Sequence, residues 1–140
     1  MGELGVTETE KAYIAGIVDG EGSIMLTRFH KNEYPSPCVS ISSTDMELLE
    51  WIKDTTKIGR IINKKNYNEE KHKDSYTYRV IRDDALKLLK EIEIYLVIEK
   101  KKLRAKHVLD NYKKVTLRNG KYLDNLKQKK EQFYIDFMSL

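Results

Sequence analysis

At 140 residues, with 40% hydrophobic and 34% charged side chains, the chain has the composition of one globular domain, 1–140, rather than of a disordered or fibrous protein. No apolar run approaches the ~20 residues that span a bilayer, the N-terminus lacks the regions of a signal peptide, and the lone Cys38 excludes an internal disulfide or a paired-cysteine zinc site, so the chain is expected to be intracellular. The net charge of +4 is unevenly spread: residues 1–22 hold five acids against Lys11, whereas 99–130 hold twelve Lys or Arg against three acids, which points to a polyanion as partner of the basic end.

Thr7-Glu-Thr-Glu10 reads as a capping box opening a helix from Glu8 to about Val18, stopped by the turn residues Asp19-Gly-Glu-Gly22. Two alternating strands follow, Ser23–Lys31 and Ser36–Ser43, joined by a hairpin over 32–35. Thr44 or Asp45 caps a helix Met46–Lys53, in which Leu48, Leu49 and Ile52 have helical spacing. After Gly59 come strands Arg60–Lys65 and Ser75–Arg82, linked by the polar stretch 66–74. Asp83 or Asp84 caps a helix Ala85–Glu91, and a longer helix runs from about Tyr95 to Val115. A polar break at Arg118-Asn-Gly-Lys121 precedes a final amphipathic helix, Leu123–Met138. The order predicts an α+β fold around one four-stranded antiparallel or mixed sheet, with extra helices at the C-terminus.

The most informative stretch is Tyr13-Ile-Ala-Gly-Ile-Val-Asp-Gly-Glu-Gly-Ser-Ile24. Asp19 and Glu21 fall at a helix C-terminus, where the negative end of the macrodipole disfavours each acid by roughly 0.3–1 kcal/mol. Ala12, Gly16 and Gly20 recur at i, i+4, i+8, a stripe of small residues that permits another helix to approach closely, although interior glycines weaken the helix itself. If the approaching helix is its own copy, related by a two-fold axis, the two Glu21 carboxylates converge. Converging carboxylates repel each other, and a divalent cation makes them tolerable. A dinucleotide-binding glycine loop is excluded, because the motif follows a helix and lacks the GxGxxG spacing.

Ile14-Ala-Gly-Ile-Val-Asp-Gly-Glu-Gly22 resembles the nine-residue signature of the LAGLIDADG homing endonucleases, with Ala15, Gly16, Asp19 and Gly22 as its own letters and Glu21 in place of the second Asp. The element order over about 7–115 is similar to that family's αββαββα core, and a single motif resembles its homodimeric branch. The resemblance implies metal-dependent cutting of double-stranded DNA at a long pseudo-palindromic site, with short 3′ overhangs, in the homing of an intron or intein. It implies Glu21 as the metal-binding catalytic carboxylate and the Gly20 carbonyl as a second ligand. The ion would be Mg²⁺, with Ca²⁺ or Mn²⁺ as substitutes. Ala12 and Gly16, with Asp19 orienting the helix end, would form the dimer interface.

The family's sheet is a saddle whose concave face lies in the major groove. Alternation then places Ser23, Met25, Thr27 and Phe29 of the first strand on that face, with Ser40 and Ser42 of the second, Arg60, Lys64 and Asn66 of the third, and Ser75, Thr77 and Arg79 of the fourth. Arg28 would then point into the core, which calls for a bulge. The basic stretch from Lys100 to Lys130 would touch phosphates. Two departures from the family pattern stand out. Glu99 occupies the place where members carry a lysine near the scissile phosphate, so either the role passes to Lys100 or cutting is weakened. Ser43 replaces a larger polar residue and would hold a water network. Two other functions compete: a DNA-binding regulator that no longer cuts, and a maturase that binds intron RNA.

Overall fold

The computed structural model describes residues 4–64, 74–116 and 124–140. Asn66 and most of the linker between the third and fourth strands, the break at 118–121 and Leu123 lie outside them. The N-terminal capping box forms: the Glu10 amide donates to Thr7 Oγ1 at 3.2 Å and the Thr7 amide to Glu10 Oε1 at 2.9 Å. It opens α1, Glu8–Glu21, which continues past the expected stop at Val18. Neither Gly20 nor Gly22 takes a positive φ, so no turn forms there and the helix passes directly into β1, Gly22–Thr27.

The elements that follow are β2 (Ser36–Ser43), α2 (Met46–Thr56), β3 (Arg60–Lys64), β4 (Ser75–Ile81), α3 (Arg82–Ile92), α4 (Glu99–Asn111) and α5 (Asp124–Met138). Single 3-10 turns stand at Glu93–Tyr95 and Lys113–Val115, so the long helix expected from Tyr95 is broken and begins at Glu99 instead. The side-chain capping bonds expected at the starts of α2 and α3 are absent. Asp45 is the N-cap of α2 but makes no side-chain bond, and Ser43 Oγ instead accepts the Asp45 amide at 2.9 Å. Helix α3 starts straight from β4, with Arg82 in a left-handed conformation, φ +55°, forming the corner.

The sheet is wholly antiparallel, in the order β1-β2-β4-β3. One face carries the row Ile24–Val39–Val80 and the row Ile41–Tyr78–Ile61, packed with Ile14 and Val18 of α1, Leu49 and Ile52 of α2, and Leu88 and Leu89 of α3. Pairing of β1 with β2 is unbroken from Gly22 to Thr27, and Arg28 lies exposed beyond the strand end, so no bulge is needed. Among the described residues Tyr78 is the largest fully buried side chain. Its hydroxyl donates to the Ile58 carbonyl at 2.8 Å and lies 3.0 Å from Thr56 Oγ1, and burial pushes its pKa up to about 12. Gly59 lies against this ring: its φ is +88°, and a Cβ would fall 2.7 Å from Tyr78 Cε1.

Helix α5 covers α4 through Phe133, stacked on His107 with ring centroids 4.7 Å apart, and through Phe137, over which the Arg104 guanidinium sits at 5.0 Å. Lys130 is also buried in this layer, although the basic stretch that it ends was expected to touch phosphates. Its Nζ donates to Thr116 Oγ1 at 2.6 Å and lies 4.9 Å from the Tyr112 ring and 5.5 Å from that of Tyr34. Desolvation lowers its pKa from 10.5 to about 8. A lysine whose folded pKa lies below its unfolded value is protonated in the unfolded chain and neutral in the native one between those limits, so native stability rises with pH across that window. The melting temperature of the wild type should therefore climb relative to that of Lys130→Met between pH 8 and 10.5, and parallel curves for the two proteins would refute the burial argument.

Candidate active site

Helix α1 divides its signature residues between two sides. Ile14, Ala15 and Val18 are buried in the core, whereas Ala12, Gly16 and Gly20 are exposed, and a Cβ built on either glycine meets nothing within 4 Å. The open stripe is flanked by Tyr13, 57% exposed, which packs edge-on against Trp51 at 5.2 Å. Gly22 is the crowded one. A Cβ there would lie 2.8 Å from Val18 Cα, 3.0 Å from the Val18 carbonyl oxygen and 3.3 Å from that of Ser40, all backbone atoms.

The two acids at the end of α1 have different surroundings. Asp19 turns toward the start of α4, accepting the Val97 amide at 2.9 Å and the Ile98 amide at 3.1 Å. In return Lys101 of α4 donates to the carbonyls of Val18 and Asp19 at 2.8 and 2.6 Å. Each helix end thus receives a charge of the sign its dipole favours, an anion at the N-terminus of α4 and a cation at the C-terminus of α1. The same exchange pins the loop 96–98 and explains why α4 begins at Glu99. Asp19, expected at a dimer interface, has its carboxylate engaged within its own chain.

Glu21 remains exposed at the helix end, and no hydrogen bond or ion pair joins it to any described residue. Among the described residues no group of three His, Cys, Asp or Glu could hold a metal ion. A single carboxylate beside the last carbonyls of a helix does fit an ion such as Mg²⁺, which keeps several waters and takes one or two carboxylates plus phosphate oxygens. It does not fit an all-protein cage. Ser43 lies two residues past Ile41, the partner of Gly22, and so at the Glu21 end of the sheet, with its Oγ already accepting the Asp45 amide.

Lys100 and Glu99 are both exposed in the first turn of α4, and the cation brought to the motif helix is Lys101. In the run Lys100-Lys101-Lys102, only the starting point of the helix decides which side chain turns toward α1, and the sequence placed that start near Tyr95. Other members of the basic stretch are also engaged internally. Arg104 donates to the Ile24 carbonyl at 3.1 Å, and Lys130 is buried.

Away from the helices, the sheet presents a second face. Its central row is Ser23–Ser40–Arg79–Arg60, running across all four strands. Met25 and Thr27 lie to one side, beside Cys38 and Ser36. On the other side come Ser42, Thr77 and Ile62, then Ser75 opposite Lys64. Ser42 Oγ and Thr77 Oγ1 are hydrogen-bonded at 2.9 Å. Phe29, just past β1, lies under two guanidinium groups, Arg79 at 5.4 Å and Arg82 at 5.1 Å. Ser23, Met25, Thr27, Ser40, Ser42, Arg60, Ser75, Thr77 and Arg79, assigned by alternation to one face, do share it, and Lys64 stands at the matching register position.

A family model described as LAGLIDADG endonuclease matches residues 14–112. No curated protein matches the sequence. Among solved structures, an archaeal intron-encoded homing endonuclease, I-Vdi141I, in complex with DNA superposes with a TM-score of 0.55 at 18% identity, covering 91% of this chain and 98% of that one. The meganuclease I-SmaMI bound to uncleavable DNA gives 0.65 at 20% identity, over 94% of this chain and 44% of that one. I-GzeII in complex with its DNA target gives 0.64 at 20% identity, over 89% and 43%. The chain thus spans less than half the length of the latter two, and at these identities the likeness is one of fold. With its signature on α1, its αββαββα order and a model match over most of its length, the chain belongs to the LAGLIDADG endonuclease family.

Proposed function

We propose that the protein is a metal-dependent homing endonuclease that cuts double-stranded DNA as a homodimer. The observation that carries this reading is the end of α1, where Asp19 and Lys101 neutralise each other's helix ends and leave Glu21 as an exposed carboxylate without a partner among the described residues. The open stripe of Ala12, Gly16 and Gly20 would receive the same helix of a second copy, bringing two Glu21 side chains to one place. The open sheet face, with its hydroxyls and guanidiniums, suits a DNA groove. The complexes of I-Vdi141I, I-SmaMI and I-GzeII with DNA favour the same substrate, and the intron-encoded origin of the first favours intron homing.

In this reading Glu21 and the Gly20 carbonyl hold the cation, and Lys101 fixes the helix end from which they project. A bound Mg²⁺ would activate water and neutralise charge building on the phosphate. Glu21 would supply the negative charge that retains such an ion. Lys100, exposed one residue before Lys101, is left for a phosphate contact.

Selection from a randomised duplex pool should return one recurring, roughly two-fold symmetric sequence that is cut in both strands, with short 3′ overhangs, once Mg²⁺ is added. A sequence bound specifically but never cut under any divalent ion would make the protein a regulator instead. The dimer has its own test. Gly16→Leu adds a bulky side chain where α1 is open and a Cβ meets nothing within 4 Å, so the variant should fold normally yet sediment as a monomer; an unchanged dimer would place the interface elsewhere.

A further inference from the structure

The middle of the open sheet face carries a charge arrangement that the fold does not account for. Arg60 and Arg79 are direct cross-strand partners, and like charges so placed destabilise a sheet. Arg79 Nε is buried without a hydrogen-bond partner, and no ion pair joins this side chain to a described residue. A buried donor without an acceptor is costly. The side chain is nevertheless held in place, with its guanidinium 5.4 Å from the centre of the Phe29 ring. Arg82 lies over the same ring at 5.1 Å, held at the β4–α3 corner by its left-handed backbone, and its charge is met by Glu33 at 3.2 Å. Glu33 therefore answers Arg82, and Arg79 keeps an ordered fork of donors with no acceptor in the described chain.

Position on the sheet distinguishes two ligands for such a fork. Phosphates border a groove and are met by the edges of a sheet that enters it, whereas base edges lie on its floor. Strand β4 is flanked on both sides, by β2 and β3, so Arg79 is central, while Arg60 stands on the edge strand. Two acceptors side by side in the major groove are the O6 and N7 of guanine, the usual target of a bidentate arginine. We propose that Arg79, packed over the Phe29 ring, selects a guanine in each half of the DNA target; this rests on the open sheet face being the DNA-contacting one.

Sites selected from a randomised duplex pool should show one G·C position per half-site. Replacing that guanine by 7-deazaguanine, which lacks the N7 acceptor, should weaken wild-type binding by ~10-fold. Arg79→Lys keeps the charge but not the planar fork. It should lose the preference at that position alone, with the other positions and the salt dependence of binding retained, and should be indifferent to 7-deazaguanine. Phe29→Leu, which keeps an apolar side chain but no ring face, should relax the same position in part. If Arg79→Lys lowers affinity evenly with an unchanged base profile, Arg79 holds a phosphate and the proposal is wrong. A wild-type site without a G·C position would overturn it while leaving DNA recognition intact. A pool yielding no recurring sequence would instead remove the DNA reading on which it stands.

Discussion

Glu21→Gln is expected to lower the rate of strand cutting by about 10³-fold or more, the loss of roughly 4 kcal/mol of metal-borne stabilisation, while the protein still binds its site. The side chain is exposed and bonded to no described residue, so its loss breaks no contact of the fold. Glutamine keeps the shape and the oxygen but not the charge that retains a divalent ion. Removing an acid from the C-terminal turn of α1 should even stabilise the helix slightly, by roughly 0.3–1 kcal/mol. DNA affinity in the absence of metal should hold or improve, since one negative charge beside the phosphates is gone. Activity and stability thus move in opposite directions, which loss of structure cannot mimic. Cutting by the variant at close to the wild-type rate would remove Glu21 from the chemistry.

The second large effect is expected at Gly22→Ala, a change of one methyl group. The added carbon would fall 2.8 Å from Val18 Cα, inside the closest real contacts, and a tight 3.0 Å from the Val18 carbonyl oxygen and 3.3 Å from the Ser40 carbonyl oxygen on β2. These are backbone atoms, so no side chain can swing aside. The last turn of α1 must shift relative to β2, at a cost of about 1–3 kcal/mol of overpacking. That turn carries Glu21, the residue immediately before Gly22, and the carbonyls held by Lys101. Misplacing a catalytic group by even part of an ångström lowers rates steeply, so at temperatures where the variant is folded its cutting should fall roughly 10²-fold. Gly20→Ala, whose Cβ meets nothing within 4 Å, is the matched control within a single chain. A Gly22→Ala protein with wild-type melting and activity would show that the junction is not tight.

Much of this was legible in the sequence because short-range patterns determined it. The capping box at Thr7 needs only four residues, and β2 needs only alternation and a turn at either end; both form with the expected bounds. Strand parity followed from the same alternation, which is why residues from all four strands fell together on one face. What was not legible depends on contacts distant in sequence. Asp19 binds amides 78 and 79 residues away, and that bond sets where α4 begins and so which lysine of three faces α1. Nothing local distinguishes Lys101 from Lys100. Lys130 was likewise grouped with the cations expected to touch phosphates, since its burial depends on Tyr112, Thr116 and Tyr34 closing around it. The left-handed Arg82 gave no signal either, because glycine or asparagine is the usual mark of that conformation.

The pairing of Asp19 with α4 and of Lys101 with α1 also resolves the oddity of two acids at one helix C-terminus. One is an N-terminal anion for a different helix, and the cation it brings back offsets the dipole that both acids oppose. The remaining unfavourable charge is Glu21 alone. An unfavourable charge kept on an exposed helix end fits a group reserved for a ligand.

The most direct measurement follows a duplex carrying the selected target, incubated with the wild-type protein in EDTA and then in Mg²⁺, with both strands resolved on a denaturing gel. A divalent ion held by Glu21 predicts an intact, bound duplex in EDTA and cutting of both strands only after Mg²⁺ is supplied. Cutting at the same positions and rate in EDTA would contradict the account at its centre.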